Sequence, residues 1–186
     1  MDHDLARAQS AFSAVLESLA PDAWSRSTPC EEWDVEAVTR HLMAGERAFT
    51  VSLGGTPYDL AALSAEVAAV PLADLPSTYA VGAVALREAL AHADHGGAFP
   101  TGIGPMPAPA IAELRTIEAL THGWDIARGA GVELVVDEAV AERAIAHSLT
   151  LMERLPPERK VFGTPQPVAA DAPALDRLVA LLGRTV

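Results

Sequence analysis

The sequence predicts an all-α protein, and three observations lead to that prediction. Alanine, a strong helix former and a poor strand former, makes up roughly a fifth of the chain, well above its average usage. Apolar residues recur at spacings of three and four along most of the 186 residues. Four or five such segments of about 20 residues, joined by moderate loops, favour an up-down helix bundle.

The composition excludes several classes of protein. The formal net charge is −12 and the isoelectric point is about 4.8, so the surface repels phosphate backbones and anionic lipids. A single cysteine, Cys30, excludes an internal disulfide and a cysteine-rich zinc module, and it favours a reducing cytoplasm. Neither a secretory signal nor an apolar run of about 20 residues is visible. The length fits one domain over residues 1–186.

Periodicity and capping residues predict the first half of the chain. An apolar face over residues 5–19 indicates a first helix, which ends before Pro21. Asp34 is a suitable N-cap for a second helix, and Gly54 with Gly55 stops it. Residues 56–74 are ambiguous: residues 60–70 are compatible with a short helix, flanked by Pro57 and Pro71.

The second half shows the same alternation of helical stretches and turn residues. The predicted elements are a third helix at 75–93, a Gly/Pro-rich loop at 96–107, a fourth helix at 109–129, a fifth from the N-cap Asp137 to Leu155, an extended segment at 161–165 and a last helix at 173–182. The final segments form a short C-terminal extension to the bundle.

Three residues on these helices form a candidate metal site. Glu118 and His122 are four residues apart, so an α-helix places both side chains on one face. His41 lies in the middle of the second helix, and ligands on facing helices converge in a bundle core. Two imidazoles and one carboxylate leave open positions on a metal ion. The residues alone leave the alternatives open, because such pairs are common on helix surfaces and a lone core histidine is usually structural.

Several segments carry a resemblance to a known family. Residues 28–35, together with Val38 and His41, resemble the opening signature of mycothiol-dependent maleylpyruvate isomerase N-terminal-type domains, within the DinB/YfiT-like putative metalloenzyme superfamily. Residues 118–128 resemble the second signature of that family. Residues 161–184 look like the tail of its short, single-domain, actinobacterial metal-binding branch.

The resemblance implies a DinB-like four-helix bundle with extra short helices. It also implies a divalent metal ion held by His41, Glu118 and His122, with mycothiol as an expected cosubstrate. The isomerase of this superfamily carries an additional C-terminal domain. Here only about 30 residues follow the fifth helix, too few for a second domain, so the specific isomerase activity does not follow.

Three functions are compatible with such a site. In the first, the ion, by default zinc with nickel or iron as alternatives, activates a low-molecular-weight thiol for attack on a small electrophile, as in an isomerase or S-transferase. Arg115 and Arg128 are then candidates for holding a substrate carboxylate. In the second, the protein is a metal-dependent hydrolase that uses activated water. In the third, it is a non-catalytic or stress-related protein whose ion is structural.

Other residues have less specific interpretations. Asp125 is a candidate hydrogen-bond acceptor for a ligand histidine. Cys30 is interpreted as a small buried residue, Trp33 and Trp124 as core residues near the site, and His147 as a hydrogen-bonded core histidine. A homodimer is a further expectation, whereas partners among nucleic acids and membranes are not expected.

Overall fold

A computed structural model describes residues 3–31, 33–94, 96–154 and 161–186. Within these ranges the helices are α1 (His3–Ser18), α2 (Val35–Leu53), α3 (Leu60–Ala68), a 3-10 turn (Leu72–Asp74), α4 (Leu75–His92), α5 (Ala108–Ala130), α6 (Glu138–Arg154) and α7 (Ala174–Leu181). The described residues contain no extended strand, and β-structure is limited there to two isolated bridges, Ser27–Asp34 and Phe99–Met106.

The predicted all-α class is therefore confirmed, and the predicted helices all form. Within the ambiguous residues 56–74, a short helix does form: Leu60–Ala68 fold as α3, whose N-cap Asp59 accepts hydrogen bonds from two backbone amides. The helix predicted from residue 109 begins one residue earlier, at Ala108. α6 reaches Arg154, and the predicted end at Leu155 lies outside the described residues.

Four helices, α1, α2, α4 and α5, form the bundle. α5 packs between α1 and α2, and α4 contacts both of those helices from the other side. Most residues of α5 are buried, on every side of the helix, because α6 covers the face that the bundle leaves open. Trp124 and Ile126 of α5 join the core cluster that also contains Val38 and Leu42 of α2. This close packing fixes α2 and α5 relative to each other.

The C-terminal segment returns to the bundle beside α5. α7 packs on α6, and Leu178 and Leu182 are buried with Leu120 of α5. Gly183 then adopts φ +99°, a left-handed conformation that favours glycine. A Cβ at Gly183 would lie 2.6 Å from the Cα of Gly163, so this close approach also requires glycine.

Among the described residues, no single helix combines the length and the apolar composition that crossing a membrane requires. The pair Leu60–Ala68 and Leu72–His92 meets that test only when the two segments are joined, and they meet at 107°.

The N-cap of α2 provides a test of the local folding argument. The Asp34 side chain accepts a hydrogen bond from the backbone amide of Ala37 at 2.8 Å. We expect Asp34→Ala to lower the free energy of unfolding by about 1 kcal/mol, measured by urea denaturation, because that amide loses its partner. Asp34→Asn keeps a capping oxygen and should stay close to wild type. Equal stability of the alanine variant and the wild type would contradict the capping role.

Candidate metal centre

The structure brings His41, Glu118 and His122 together. Glu118 and His122 lie one turn apart on α5, and His41 projects from the middle of the neighbouring α2. One donor atom from each residue lies within 4.8 Å of the donor atoms of the other two. The two imidazole rings are 5.2 Å apart between centroids and meet nearly edge to face, at 77°. The three side chains thus meet between α2 and α5.

A cavity of about 340 Å³ lies over these three side chains. Its walls come from α2, α5, the segment before α2 and the C-terminal segment. The lining residues are Cys30, Trp33, His41, Ile117, Glu118, Thr121, His122, Val161, Phe162 and Arg184. The cavity has room for a small molecule next to the three donor groups.

His41 is the most exposed of the three residues, yet its ring is crowded. Trp33 packs against it, with 4.6 Å between ring centroids. Loss of hydration, followed by the proximity of His122, lowers the pKa of His41 to about 4. The ring is therefore neutral near pH 7, which is the form that can bind a metal ion.

His122 is oriented by Asp125, one turn further along α5. The Nδ1 atom of His122 lies 3.0 Å from Oδ2 of Asp125, whose carboxylate is fully buried. Burial acts to raise the pKa of Asp125, but hydrogen bonds from His122 and Arg184 outweigh that effect and lower it. An ionised carboxylate only accepts hydrogen bonds, so Nδ1 of His122 is the donor in this contact, and Nε2 is the ring nitrogen that the contact does not use.

Glu118 is held by the buried guanidinium of Arg115. Nη1 of Arg115 donates to Oε2 of Glu118 at 2.5 Å, and Nη2 donates to the backbone carbonyl of Leu42 on α2 at 3.0 Å. Burial acts to raise the pKa of Glu118, but the charge of Arg115, with smaller contributions from His122 and His41, lowers it. Glu118 is therefore an ionised carboxylate.

A second buried carboxylate, Glu46 of α2, lies on the other side of Arg115. Its Oε2 atom is 3.7 Å from Nε of Arg115, and both side chains are only 1% exposed. Gln9 donates to Oε1 of Glu46 at 2.9 Å, and Arg87 donates in turn to Gln9. Burial raises the pKa of Glu46, and the charge of Arg115 opposes that rise. This polar network runs through the bundle core beneath the cavity.

Comparison with known proteins identifies the family. The family model described as the mycothiol maleylpyruvate isomerase N-terminal domain matches residues 5–127. The chain belongs to the mycothiol maleylpyruvate isomerase N-terminal domain family. Two uncharacterised proteins of Mycobacterium tuberculosis, from strains CDC 1551 / Oshkosh and ATCC 25618 / H37Rv, are each 31% identical to it over 181 residues, which is 97% of this chain and 95% of theirs.

Solved structures share the fold of this family member. The crystal structure of the mycothiol-dependent maleylpyruvate isomerase superposes with a TM-score of 0.61 at 17% sequence identity. A histidine-to-alanine mutant of that isomerase gives a TM-score of 0.58 at 18% identity. In both comparisons the match covers 79% of this chain and 68% of the isomerase chain. The likeness confirms the DinB-like helical fold that the sequence signatures imply.

The two arginines proposed to hold a substrate do not line the cavity of this family member. The side chain of Arg115 is 1% exposed and faces Glu46 and Glu118 in the core. Arg128 lies near the end of α5, with its guanidinium 5.1 Å from the ring centroid of Trp124. The geometry of Arg115 is that of a structural partner for the two carboxylates.

The interpretation of Cys30 as a buried residue and of His147 as a core histidine is wrong: Cys30 is only partly buried, and the His147 side chain is 35% exposed. Cys30 lines the cavity, and burial, followed by the charge of Asp125, raises the pKa of its thiol. Its sulfur also belongs to a second group of close donor atoms, with His122 and Asp125. His147 of α6 lies away from this cavity, with Nδ1 3.4 Å from Oε2 of Glu113.

Two residues of the site, Arg184 and Glu46, were not predicted from the sequence. Arg184 lines the cavity from the C-terminus, 59 positions from its partner Asp125, and no spacing rule connects them. Glu46 does carry a signal, since the residues one helical turn before and after it, Leu42, Met43 and Phe49, are apolar and place it on the buried face of the helix. A charge in such a position requires a buried partner, and Arg115 in the apolar α5 is the matching one.

Gly45 of α2 tests the tight fit around Arg115. A Cβ there would lie 2.6 Å from Nη1 of Arg115, and the contacts of that guanidinium prevent it from moving away freely. We expect Gly45→Ala to lower the free energy of unfolding by about 1–3 kcal/mol in urea denaturation.

Gly82 of α4 is the matched control. It is also a helix glycine, but a Cβ there meets no atom within 4 Å. Gly82→Ala should therefore stabilise the protein by about 0.4–1 kcal/mol, because alanine restricts the unfolded chain. Equal stabilisation by both substitutions would show that Arg115 is not confined as described.

Proposed function

We propose that this protein binds a divalent metal ion through His41, Glu118 and His122 and activates a small thiol of the mycothiol type. The activated thiol attacks a small electrophile, in an isomerase-like or S-transferase-like reaction. The observation that carries the proposal is the convergence of the three donor atoms within 4.8 Å at the cavity.

The donor set fits such an ion. His41 is neutral near pH 7, and the contact of His122 with Asp125 leaves its Nε2 available. Glu118 engages Arg115 through Oε2, which leaves Oε1 for a metal ion. Two imidazoles and one carboxylate are a familiar zinc set with an open position, and zinc is the ion we expect.

The charges around the cavity favour an anionic fourth ligand. Glu118 shares its negative charge with Arg115, and Asp125 shares its own with Arg184. The three ligands therefore do not fully neutralise a divalent ion. A divalent ion bound there would lower the pKa of a coordinating thiol, and the resulting thiolate would supply the missing negative charge.

The chain's own residues prepare the cavity for this chemistry. Asp125 holds the His122 ring, and Arg115 keeps Glu118 ionised. Trp33 and Phe162 place apolar surface beside the donor groups, which limits access of water.

The comparisons support the thiol rather than a particular electrophile. The matched family model bears the name of a mycothiol-dependent isomerase domain, and the similar crystal structures are of that isomerase. We place the reaction in the cytoplasm, where thiols are kept reduced, and homodimer formation stays a prediction from the sequence.

Ligand substitutions test the metal site. We expect the wild type to bind one zinc ion per chain, measured by competition with a chromophoric chelator. His41→Ala, Glu118→Gln and His122→Ala should each weaken zinc binding by more than about 100-fold, beyond the loss typical of residues that only contact a ligand. His92→Ala, at the exposed end of α4, is the matched control and should bind zinc as the wild type does.

The same preparation tests the thiol. Isothermal titration of mycothiol into zinc-loaded protein should show saturable binding, and the zinc-free protein should show much weaker binding. S-methylated mycothiol, which cannot ionise, should bind weakly to both forms. If the protein binds zinc but binds mycothiol no better than S-methylated mycothiol, the proposed thiol function is wrong. If the protein does not bind zinc, the proposed metal site is wrong.

A further inference from the structure

Arg184 makes a two-pronged contact with Asp125. Its Nε donates to Oδ1 at 3.1 Å and its Nη2 donates to Oδ2 at 2.8 Å. Nη1 donates to the carbonyl of Leu182 at 3.1 Å, which fixes the remaining arm of the guanidinium. A planar guanidinium bound through two parallel hydrogen bonds fixes both the position and the rotation of a carboxylate.

The carboxylate that Arg184 fixes is the one that orients His122. Oδ2 of Asp125 lies 2.8 Å from Nη2 of Arg184 and 3.0 Å from Nδ1 of His122. Asp125 is fully buried, whereas the Arg184 side chain is 14% exposed and lies at the cavity wall. His122 also lines the cavity, with its side chain 12% exposed, so the buried Asp125 carboxylate bridges two residues of the cavity wall, Arg184 and His122.

The backbone around Arg184 is itself held in place. The amide of Arg184 donates to the carbonyl of Val179 at 2.9 Å, across the turn made by Gly183. The amide of Gly163 donates to the carbonyl of Leu182 at 3.2 Å. These bonds connect the end of α7 to the segment that contains Phe162. The backbone that carries the Arg184 guanidinium is therefore held in a fixed position.

We propose that Arg184 is a positioning residue of the metal centre: it fixes Asp125, which holds the His122 ring with Nε2 toward the cavity. The C-terminal segment then contributes a positioning residue to the site, although the three metal-donor residues lie on α2 and α5. The proposal rests on the proposed function for the identity of the bound ion. The Arg184–Asp125–His122 contacts stand without it.

Four variants test this role. Arg184→Met removes the donors and keeps the length of the side chain, and Arg184→Lys keeps the charge without the two-pronged contact. Asp125→Asn, alone and combined with Arg184→Met, tests whether the two residues act as one unit. Arg177→Met is the matched control, since Arg177 also lies in the C-terminal segment and pairs with a carboxylate, Glu142, away from the cavity.

Two measurements are made on each variant. The first is zinc affinity, by competition with a chelator. The second uses the zinc-free protein and follows the exchange with water of the His122 Nδ1 proton by NMR spectroscopy. A merely structural role for Arg184 would lower thermal stability, measured by circular dichroism, without changing either readout in a folded variant.

We expect Arg184→Met to weaken zinc binding by about 10–100-fold, the usual effect of losing a partner of a metal ligand. The His122 proton should exchange faster, and Arg184→Lys should lie between wild type and Arg184→Met. The double variant should be no weaker than Asp125→Asn alone, because the two residues act in series. Arg177→Met should match the wild type in both readouts.

Unchanged zinc affinity and unchanged proton exchange in Arg184→Met would overturn the proposal, as would equal losses in Arg177→Met. If Arg184→Met does not fold, the same two readouts, zinc affinity and His122 proton exchange, are compared between Arg184→Lys and the wild type, and unchanged values in Arg184→Lys would overturn the proposal. If the wild type binds no zinc, the proposed function fails, and the exchange of the His122 proton alone decides the role of Arg184.

Discussion

The buried guanidinium of Arg115 joins the two helices that carry the candidate metal ligands. It donates to the Leu42 carbonyl of α2 and to Glu118 of α5, and it lies beside Glu46. A buried charge is tolerated only with partners, so removal of Arg115 would leave Glu118 and Glu46 without their cationic partner in the core. The position of Glu118 relative to α2, and hence to His41, depends on this contact. Gly45 leaves the space that the guanidinium occupies.

Each ligand on α5 has its own charged support. Arg115 holds Glu118 from inside the bundle, whereas Asp125 and Arg184 hold His122 from the C-terminal side. Supports of this kind orient ligands before a metal ion binds and reduce the cost of ordering them. His41 differs, since its ring packs against Trp33. The site therefore combines two fixed ligands on one helix with a third at the more exposed side of the cavity.

The helices were predictable because their signals are local. Periodic apolar residues mark α1 and α2, and Asp34 caps α2 as its side chain chemistry predicts. The meeting of Glu118 with His122 follows from helical spacing, and their approach to His41 follows from bundle packing. The roles of Arg115 and Arg184 were not predictable in this way. α5 is buried on every side, so periodicity cannot tell which neighbour each residue faces, and Arg184 is distant in sequence from Asp125.

X-ray absorption at the zinc edge reports the atoms that surround a bound ion and so distinguishes the proposed ligand set from any other. In the zinc-loaded protein we expect nitrogen and oxygen neighbours with the outer-shell pattern of two imidazoles. A sulfur neighbour at about 2.3 Å should appear only after mycothiol is added. Sulfur present before addition would indicate that Cys30, with His122 and Asp125, holds the ion instead. That result, or a shell without imidazole, would show that His41, Glu118 and His122 do not together bind the ion.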